Sequence, residues 1–390
     1  MFARFFLLAG VPVLAVTWLA PRAIAEAPQV DTWRLPEGAI QPQVAVGDDG
    51  TVHLLYLRGD PRRSDLFYVR PNAADELAEG AKRVNRGPGS VIAVGNIRGA
   101  HLALGRNDRV HVAWMGASQA EVKGPGGATP MLYTRLDDEG TFAAERNVIT
   151  AQVGLDGGGS LAADRQGNVY VVWHAPTVGT KGEVNRRVWV AHSEDDGRTF
   201  EPERAAREDD TGCCGCCGMR ALADRDGHLF ILYRSAEQAK QRDMWLLASD
   251  NRSRTFSTSL VDRWEADTCV MSTAALAAGS DSADGPLAAW ETQGQVYFGR
   301  VHDGRISHPT PAPGLTGGRK HPTVAVNKSG QIVLAWTEGM GWERGGMVAW
   351  QIFDADQRPI AGAAGRAAGV PVWSLVAAFA RPDGQFVVVY

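Results

Sequence analysis

Residues 158–173 read GGSLAADRQGNVYVVW, and this stretch holds the unit from which the chain is built. A short apolar run leads into a polar turn that contains Asp164, Gly167 and Asn168. A second run follows, rich in β-branched residues and closed by Trp173. Asp/Asn-Gly turns between two such runs are typical of antiparallel hairpins. The stretch therefore predicts two antiparallel strands joined by a tight turn.

The same unit recurs six more times. Its other copies occupy residues 43–56, 101–114, 220–233, 274–290, 323–336 and 377–390. The seven copies close on an aromatic residue: Tyr56, Trp114, Trp173, Tyr233, Trp290, Trp336 and Tyr390. A third strand can be recognised after six of the copies, and a weaker fourth strand after most of them. Four-stranded units repeated at this spacing indicate a β-propeller. We predict an all-β fold with seven blades, with six as the alternative if one pair is irregular.

The last copy stops at Tyr390 after two strands, although a propeller has to close into a ring. We therefore expect an N-terminal strand near Thr32-Trp33-Arg34-Leu35 to complete the final blade. Residues 26–390 are predicted to form this single domain.

The first 25 residues indicate secretion. Arg4 precedes an apolar run, and Ala23-Ile24-Ala25 has the small-x-small pattern of a cleavage site. We expect residues 1–25 to be a cleaved signal peptide of a secreted or periplasmic protein, with no membrane span afterwards. A net charge of −4 without a basic stripe argues against a nucleic-acid partner. The sequence does not indicate an oligomeric state.

A hairpin motif narrows the fold further. Ser193, Asp195, Gly197, Thr199 and Phe200 match the pattern Ser-x-Asp-x-Gly-x-Thr-Trp/Phe. In this spacing the Ser and Asp side chains can bond local backbone groups, Gly takes a positive φ, and the aromatic ring packs between blades. Residues 249–256 repeat the motif with Ser253 in place of the Gly.

Through this motif the chain resembles the BNR/Asp-box sialidase-like superfamily of β-propellers, in particular secreted bacterial members with a Cys-rich stretch. The resemblance implies a carbohydrate-directed role. Sialidases of this kind use three arginines, a Tyr nucleophile with a Glu partner, and an Asp acid/base. Only Arg34-Leu35-Pro36 loosely matches the family's Arg-Ile-Pro start, and no Tyr is placed beside a Glu. The sequence therefore does not identify a complete catalytic set.

Propeller geometry predicts where a site lies, because the starts of first strands and the ends of second strands share one face. Strand-one starts place Arg98, His101, Arg220, His321 and Trp373 on that face, and strand-two ends add Arg234, Glu291 and Glu338. Arg98, Arg220 and Arg234 could clamp a carboxylate, while Trp373 could stack on a sugar ring. Glu291 and Glu338 are the candidate acid/base residues. The alternative is that these are ordinary polar strand ends.

Five cysteines form a second candidate feature: Cys213, Cys214, Cys216, Cys217 and Cys269. The last one occupies the same connection one blade later, so all five can meet. In an oxidising compartment disulfides are the default, with one thiol left over from an odd count. No cofactor is expected on this interpretation. The alternative is a soft metal ion at the cluster, with His174, His321 or Met219 as additional ligands.

Three functions follow from these observations. The first is glycan binding or divergent glycoside hydrolysis, with a carbohydrate or small anionic ligand. The second is a noncatalytic scaffold for a protein partner, and the third is redox or metal handling at the cysteines.

Overall fold

Strands make up nearly all of the regular structure. The computed structural model describes Met1 and residues 28–208, 211–280 and 284–390. Its strands are β1 (Val30–Trp33), β2 (Ala39–Val46), β3 (Val52–Asp60), β4 (Arg63–Val69), β5 (Lys82–Arg83), β6 (His101–Leu104), β7 (Val110–Met115), β8 (Met131–Arg135), β9 (Arg146–Asn147), β10 (Ser160–Ala163), β11 (Val169–Pro176), β12 (Arg186–Ser193), β13 (Arg204–Ala205), β14 (Arg220–Ala223), β15 (Leu229–Arg234), β16 (Met244–Ser249), β17 (Ser257–Asp262), β18 (Ala274–Ala277), β19 (Leu287–Thr292), β20 (Gln295–His302), β21 (Arg305–Ile306), β22 (Thr310–Pro311), β23 (Arg319–Val326), β24 (Ile332–Glu338), β25 (Gly346–Phe353), β26 (Pro359–Val370), β27 (Ala377–Ala380) and β28 (Phe386–Val389). Short 3-10 turns occupy Ala74–Glu76, Arg106–Asp108, Pro125–Gly127 and Glu183–Asn185.

The strands form seven sheets, which are the seven predicted blades. In chain order the blades are β2–β5, β6–β9, β10–β13, β14–β17, β18–β22, β23–β26, and β27 with β28 and β1. The first strands contact one another in the cyclic order β2, β6, β10, β14, β18, β23, β27 and back to β2. The blades therefore close a ring around a central axis, and the alternative of six blades is wrong.

The unit at residues 158–173 forms the predicted hairpin. Strand β10 pairs antiparallel with β11, with Ser160 opposite Val172 and Ala163 opposite Val169. In the turn, Asp164 Oδ1 accepts the backbone N–H groups of Gln166 and Asn168 at 2.9 and 2.8 Å. Gly167 has a φ of 98°, a conformation that glycine adopts without a steric cost. The closing Trp173 is fully buried between blades.

The ring closes through the N-terminal segment, as predicted. Strand β1 pairs with β28, Val30 opposite Phe386 and Trp33 opposite Val389. The strand begins two residues before the predicted stretch, and the pairing is parallel. Beyond it, Leu35 donates its N–H to the carbonyl of Tyr390 at 2.8 Å. The last blade is thus completed by residues that precede the first one.

The hairpin at Ser193 has the hydrogen bonds that its spacing predicts. Ser193 Oγ accepts the N–H of Gly197 at 2.9 Å, and Asp195 Oδ1 accepts the N–H of Thr199 at 2.8 Å. Gly197 has a φ of 72°, and a Cβ there would lie 1.7 Å from the Tyr133 hydroxyl of the neighbouring blade. The Phe200 ring meets the Tyr133 ring edge to face at 4.9 Å. The motif therefore joins blades 2 and 3.

The second copy, residues 249–256, makes the corresponding hydrogen bonds, with a neutral amide in place of the carboxylate. Ser249 Oγ accepts the N–H of Ser253 at 3.1 Å, and Asn251 Oδ1 accepts the N–H of Thr255 at 3.0 Å. Ser253 holds the turn at a φ of 61°, where glycine would be unstrained.

Replacing Asp195 with alanine is expected to lower the free energy of unfolding by about 1–2 kcal/mol, because the turn loses charge-assisted hydrogen bonds. Asn251→Ala should cost less, since its acceptor is a neutral amide. Chemical denaturation followed by tryptophan fluorescence measures both. The exposed Glu194→Ala is the control and should change stability by less than about 0.5 kcal/mol. Equal losses for Glu194→Ala and Asp195→Ala would contradict this account.

The predicted signal peptide lies outside the described residues apart from Met1, and its cleavage stays a prediction. Among the residues that the structure describes, there is no helix with the length and apolar character needed to cross a membrane.

Candidate functional site

A channel runs along the propeller axis. It has a volume of about 540 Å³ and is lined by the first strands of all seven blades. Small side chains such as Ala45, Ala162 and Ala277 line its walls. Charged residues stand where the first strand of a blade turns into the second: Asp48, Asp49, Asp164, Arg165, Asp224, Arg225, Lys328 and Arg381. The channel therefore has a charged rim at the turn face.

The opposite end of the channel is closed by the connection between blades 1 and 2. Gln41 donates its backbone N–H to Ser374 Oγ at 3.0 Å and its side-chain N–H groups to the carbonyls of Ala93 and Trp373 at 2.6 and 2.8 Å. Asn96 donates to the Ser374 carbonyl at 2.6 Å. These bonds hold polar groups over the axis on the face where we predicted an open mouth.

At two positions in this closure the backbone restricts which residue type can be accommodated. A Cβ on Gly158 would lie 1.7 Å from the carbonyl oxygen of Ile97, so only glycine allows the connection to approach blade 3. Asn96 has a φ of 62°, which asparagine tolerates better than most residues. Sequence analysis missed Asn96, although the Gly95-Asn96 pair is a turn signal.

Arg220 lies on the axis, at the floor of the channel. Its Nη1 donates to Gln43 Oε1 and to His101 Nδ1, both at 2.9 Å, and its Nε donates to the Ala274 carbonyl at 3.3 Å. Nη2 makes no hydrogen bond to any described residue. Among the described residues no carboxylate forms an ion pair with Arg220. The structure thus places a cation without a counter-ion at the base of the channel.

The electrostatics at the floor reflect this burial. Burial lowers the pKa of Arg220 from 12.5 to about 10, so the side chain is still charged at neutral pH. Burial, together with the charge of Arg220, holds the pKa of His101 well below 6.5. Because His101 Nδ1 accepts from arginine, the ring is neutral and carries its proton on Nε2. The floor therefore carries one positive charge.

Arg98 and Arg234, the other two predicted clamp residues, do not share partners with Arg220. Arg98 pairs with Asp156 at 3.0 Å and donates to the Val94 carbonyl at 3.0 Å. Arg234 is buried and donates to the carbonyls of Arg242 and Glu291. The structure therefore does not bring these three guanidinium groups together around one carboxylate.

The two predicted acid/base residues lie away from the channel lining. Glu291 is 1% exposed, and its Oε1 accepts the N–H of Gly294 at 3.0 Å. Glu338 accepts the indole N–H of Trp336 at 2.9 Å and lies 3.5 Å from Arg319 and 3.4 Å from Arg366. Glu338 is thus engaged by protein groups at the end of a second strand, whereas Glu291 has one engaged oxygen and its buried Oε2 has no hydrogen-bond partner among the described residues.

The remaining predicted ligand residues occupy the closed end. His321 is buried, with Nδ1 3.2 Å from Thr273 Oγ1 and Nε2 3.4 Å from the Asn96 amide. Burial, followed by the charge of Lys320, lowers its pKa to about 3. Trp373 is half-buried, and its ring lies 6.0 Å from the exposed ring of Trp342. His321 lines the axial channel, whereas Trp373 does not.

Four of the five cysteines lie together, and their pairing differs from the prediction. Cys216 and Cys269 form a disulfide with a Cα–Cα distance of 6.2 Å, whereas Cys213, Cys214 and Cys217 are free. The expectation of a single leftover thiol is therefore wrong. Cys213 points into the apolar contact between blades 3 and 4, which separates it from the other four. Cys214 lies next to the disulfide, 3.5 Å from Cys216 Sγ.

The additional ligands considered for a metal ion do not join the cysteines. Within the described part of the chain, the sulfur group that could hold an ion consists of Cys214, Cys216 and Cys217. His174 accepts from Arg186 at 3.2 Å, and Met219 packs with the apolar residues between blades 3 and 4. His321 takes part in the bonds at the closed end described above.

Charged groups surround the thiols. Burial raises the pKa of Cys217, but a hydrogen bond from Cys214 and the positive charge of Arg234 outweigh it, so this pKa lies below its ordinary value of 9.0. Arg242, which sequence analysis missed, is also buried and pairs with Glu183 at 2.8 Å. No sequence pattern marks Arg242, because it lies just before a third strand.

Solved structures share this fold. The α-L-arabinanase of Penicillium chrysogenum, solved with arabinobiose, matches with a TM-score of 0.50 and 11% identity, covering 85% of this chain and 99% of that chain. An α-L-arabinofuranosidase of Fusarium graminearum, solved with an iminosugar inhibitor, matches with a TM-score of 0.50 and 7% identity, covering 85% of this chain and 98% of that chain. At these identities the likeness shows the fold alone.

A Hadza microbial sialidase aligns with a TM-score of 0.49 and 13% identity, covering 86% of this chain and 75% of that chain. No family model matches the chain, and no curated protein matches it. The chain is a seven-bladed β-propeller, and its similarity to the Asp-box superfamily stays a resemblance.

Proposed function

We propose that this protein is a secreted β-propeller that binds acidic carbohydrate, with the carboxylate of the ligand held by Arg220 at the floor of the axial channel. The observation that carries the proposal is the guanidinium group of Arg220. It is charged, it lacks a carboxylate partner among the described residues, and its Nη2 is unused by them. A ligand carboxylate would supply the missing counter-ion through charge-assisted hydrogen bonds.

The channel suits such a ligand in size and chemistry. Its volume of about 540 Å³ falls in the range of small-molecule sites, which is roughly 300–1,000 Å³. Its walls expose both apolar and polar groups, and its floor offers Gln43 and His101 beside the cation. The fold is also that of the two fungal enzymes named above, which act on arabinose-containing carbohydrate according to their names.

Binding is better supported than hydrolysis. Glu291 and Glu338, the candidate acid/base residues, do not line the channel and are engaged by Gly294 and Trp336. A general acid has to reach the scissile oxygen directly or through one water molecule. We therefore expect no release of sugar from fluorogenic glycosides. Loss of a measured turnover on Glu291→Gln or Glu338→Gln would favour the hydrolase instead.

Isothermal titration calorimetry of the mature protein with N-acetylneuraminate, glucuronate and neutral glucose tests the proposal. The two acids should bind at least about tenfold more tightly than glucose. Arg220→Gln should weaken acid binding by about 10–100-fold, which corresponds to a charge-assisted hydrogen bond of about 1.5–3 kcal/mol. Equal affinity for acids and glucose, or unchanged binding by Arg220→Gln, would overturn it.

Two further variants separate ligand binding from folding. Arg305 is exposed on the outer strand β21, so Arg305→Gln changes the net charge equally and should leave affinity unchanged. Leu222 lines the channel two residues after Arg220, on the same side of β14. Leu222→Trp should narrow the channel and abolish binding without touching the guanidinium group. Retained binding in Leu222→Trp would show that the ligand sits elsewhere.

A further inference from the structure

The sulfur atoms of one short turn lie close enough to share a ligand. Cys214, Cys216 and Cys217 each offer one Sγ atom, and these atoms all lie within 4.8 Å of one another. The turn is closed by a hydrogen bond from the Cys217 N–H to the Cys214 carbonyl at 3.3 Å. Cys269 adds a fourth sulfur from the next blade, bonded to Cys216. Four of the five sulfurs in the chain's cysteines therefore form one cluster.

Residues outside this turn fix its position through hydrogen bonds. Glu183 Oε1 accepts the Gly215 N–H at 2.6 Å, and its other oxygen accepts from Arg242 at 2.8 Å. The Cys214 N–H donates to the Arg234 carbonyl at 2.9 Å. The positions of the sulfurs are thus set by contacts that do not depend on a disulfide within the turn.

The surroundings of the cluster combine apolar side chains with two guanidinium groups and with the carboxylates of Glu183 and Glu291. Cys214 and Cys217 pack with Val270, Trp264 and Ala266. Arg234 and Arg242 are 2% and 5% exposed, and in each the Nε atom is buried without a hydrogen-bond partner. The hydroxyl of Ser272, in the connection that packs on the turn, is also buried without a partner. Unpartnered buried donors are costly, and thiolates bound to a cation would offer them acceptors and negative charge.

We propose that Cys214, Cys216 and Cys217 bind one Cu(I) ion as thiolates once the Cys216–Cys269 disulfide has been reduced. Thiolate ligands select soft cations, chiefly Cu(I) and Zn(II), and no imidazole or carboxylate belongs to this group. Cu(I) is satisfied by three sulfurs, and the turn supplies three. Zn(II) in structural sites takes four ligands and would also need Cys269. The charge of Arg242 is paired with Glu183, so Arg234 is the guanidinium group that offsets part of the negative charge of a trithiolate site.

Reduction of the disulfide needs two electrons and two protons, which yield the thiols of Cys216 and Cys269. A phosphine supplies the electrons and becomes its oxide while water supplies the protons, whereas a dithiol supplies both and becomes a disulfide. Metal binding then releases the thiol protons of the three ligands to solvent, and the oxidation state of the copper does not change. Access is available from one side, because Cys269 is exposed and Cys216 is half-buried. When the disulfide is intact, the thiols of Cys214 and Cys217 are the two that remain in the turn, so Cu(I) should bind more weakly.

The test uses the mature protein reduced anaerobically with a phosphine, which is then removed. Cu(I) is titrated in competition with bicinchoninate, a chromogenic Cu(I) chelator. We expect one equivalent of Cu(I) to be retained, with thiolate-to-copper absorption in the near ultraviolet. Cys214→Ser and Cys217→Ser should each weaken binding by at least 100-fold. Binding unchanged in both variants, or absent from the reduced protein, would overturn the proposal.

Two cysteine variants supply the controls. Cys213→Ser removes the thiol next in sequence to the cluster, which packs between blades 3 and 4, and should bind Cu(I) like the unmodified protein. A loss as large as that of Cys214→Ser would overturn the proposal in favour of nonspecific thiol binding. Cys269→Ser should retain Cu(I) and need no reductant. If Zn(II) binds more tightly than Cu(I) and Cys269→Ser abolishes it, the site is a four-cysteine zinc site instead.

Discussion

Replacing Trp33 with alanine is expected to lower the free energy of unfolding by about 3–5 kcal/mol, the usual cost of removing a buried tryptophan. Trp33 is 1% exposed and belongs to an apolar cluster that joins the last blade to the first, with Phe379 and Val389 on one side and Leu54 and Tyr56 on the other. The loss should therefore weaken the closure of the ring as well as one blade.

Other contacts of the indole add to the effect. Its ring meets Phe379 edge to face at 5.3 Å, its N–H donates to Asp31 at 3.0 Å, and Arg381 lies over it at 5.3 Å. Urea denaturation followed by circular dichroism measures the change. Trp33→Phe should cost less, and Trp342→Ala, whose side chain is 48% exposed, should cost little. Equal stability of Trp33→Ala and the unmodified protein would mean that β1 does not hold the ring closed.

Lowering the pH from 7 to 5 is expected to reduce the free energy of unfolding by at least about 4 kcal/mol. Burial, and then the charge of Arg186, lowers the pKa of His174 to about 3, while burial and the charge of Lys320 lower the pKa of His321 to about 3. The unfolded chain takes up protons near pH 6.5, but the folded chain does not. Stability is therefore complete above pH 6.5 and falls as the pH decreases toward 3.

The magnitude follows from the distance to pH 6.5. pH 5 lies about 1.5 units below the pKa of a histidine in the unfolded chain. Each of these histidines therefore lowers the free energy of unfolding by about 2 kcal/mol at that pH. Burial also lowers the pKa values of His53, His101, His111 and His192, so their effects have the same sign. Urea denaturation at pH 5, 6 and 7 measures the slope.

Single substitutions separate the contributions to this slope. His321→Gln should remove about 2 kcal/mol of the pH dependence, because glutamine does not titrate. His302 is exposed at the end of β20, and His302→Gln should leave the slope unchanged. A free energy of unfolding that is the same at pH 5 and pH 7 would contradict the account.

The blades were predictable because each hairpin carries its own local signal. The recurring hairpin pattern and its closing aromatic residues predicted all seven sheets. The last copy has two strands before Tyr390, and this predicted the closing strand at Trp33. The parallel direction of that strand was not predictable, since the sequence of β1 does not specify which way it runs beside β28.

The site was predictable only in part. Arg220 and His101 were found because both start first strands, whose side chains reach the axis. Arg234 and Glu291 were assigned to the same mouth, yet both are buried in protein contacts. The connection carrying Asn96 covers the axis through contacts between distant segments, which repeat spacing does not describe. The odd count predicted one free thiol, whereas three are free, because pairing depends on side-chain direction.

The closure by Gln41 and Asn96 makes the axial channel a blind well rather than a tunnel. A polymer can enter such a well only by its terminus, and it has to leave through the same opening. If the channel binds acidic carbohydrate as proposed, a chain whose terminal sugar is masked should therefore not bind, however many acidic units it carries along its length.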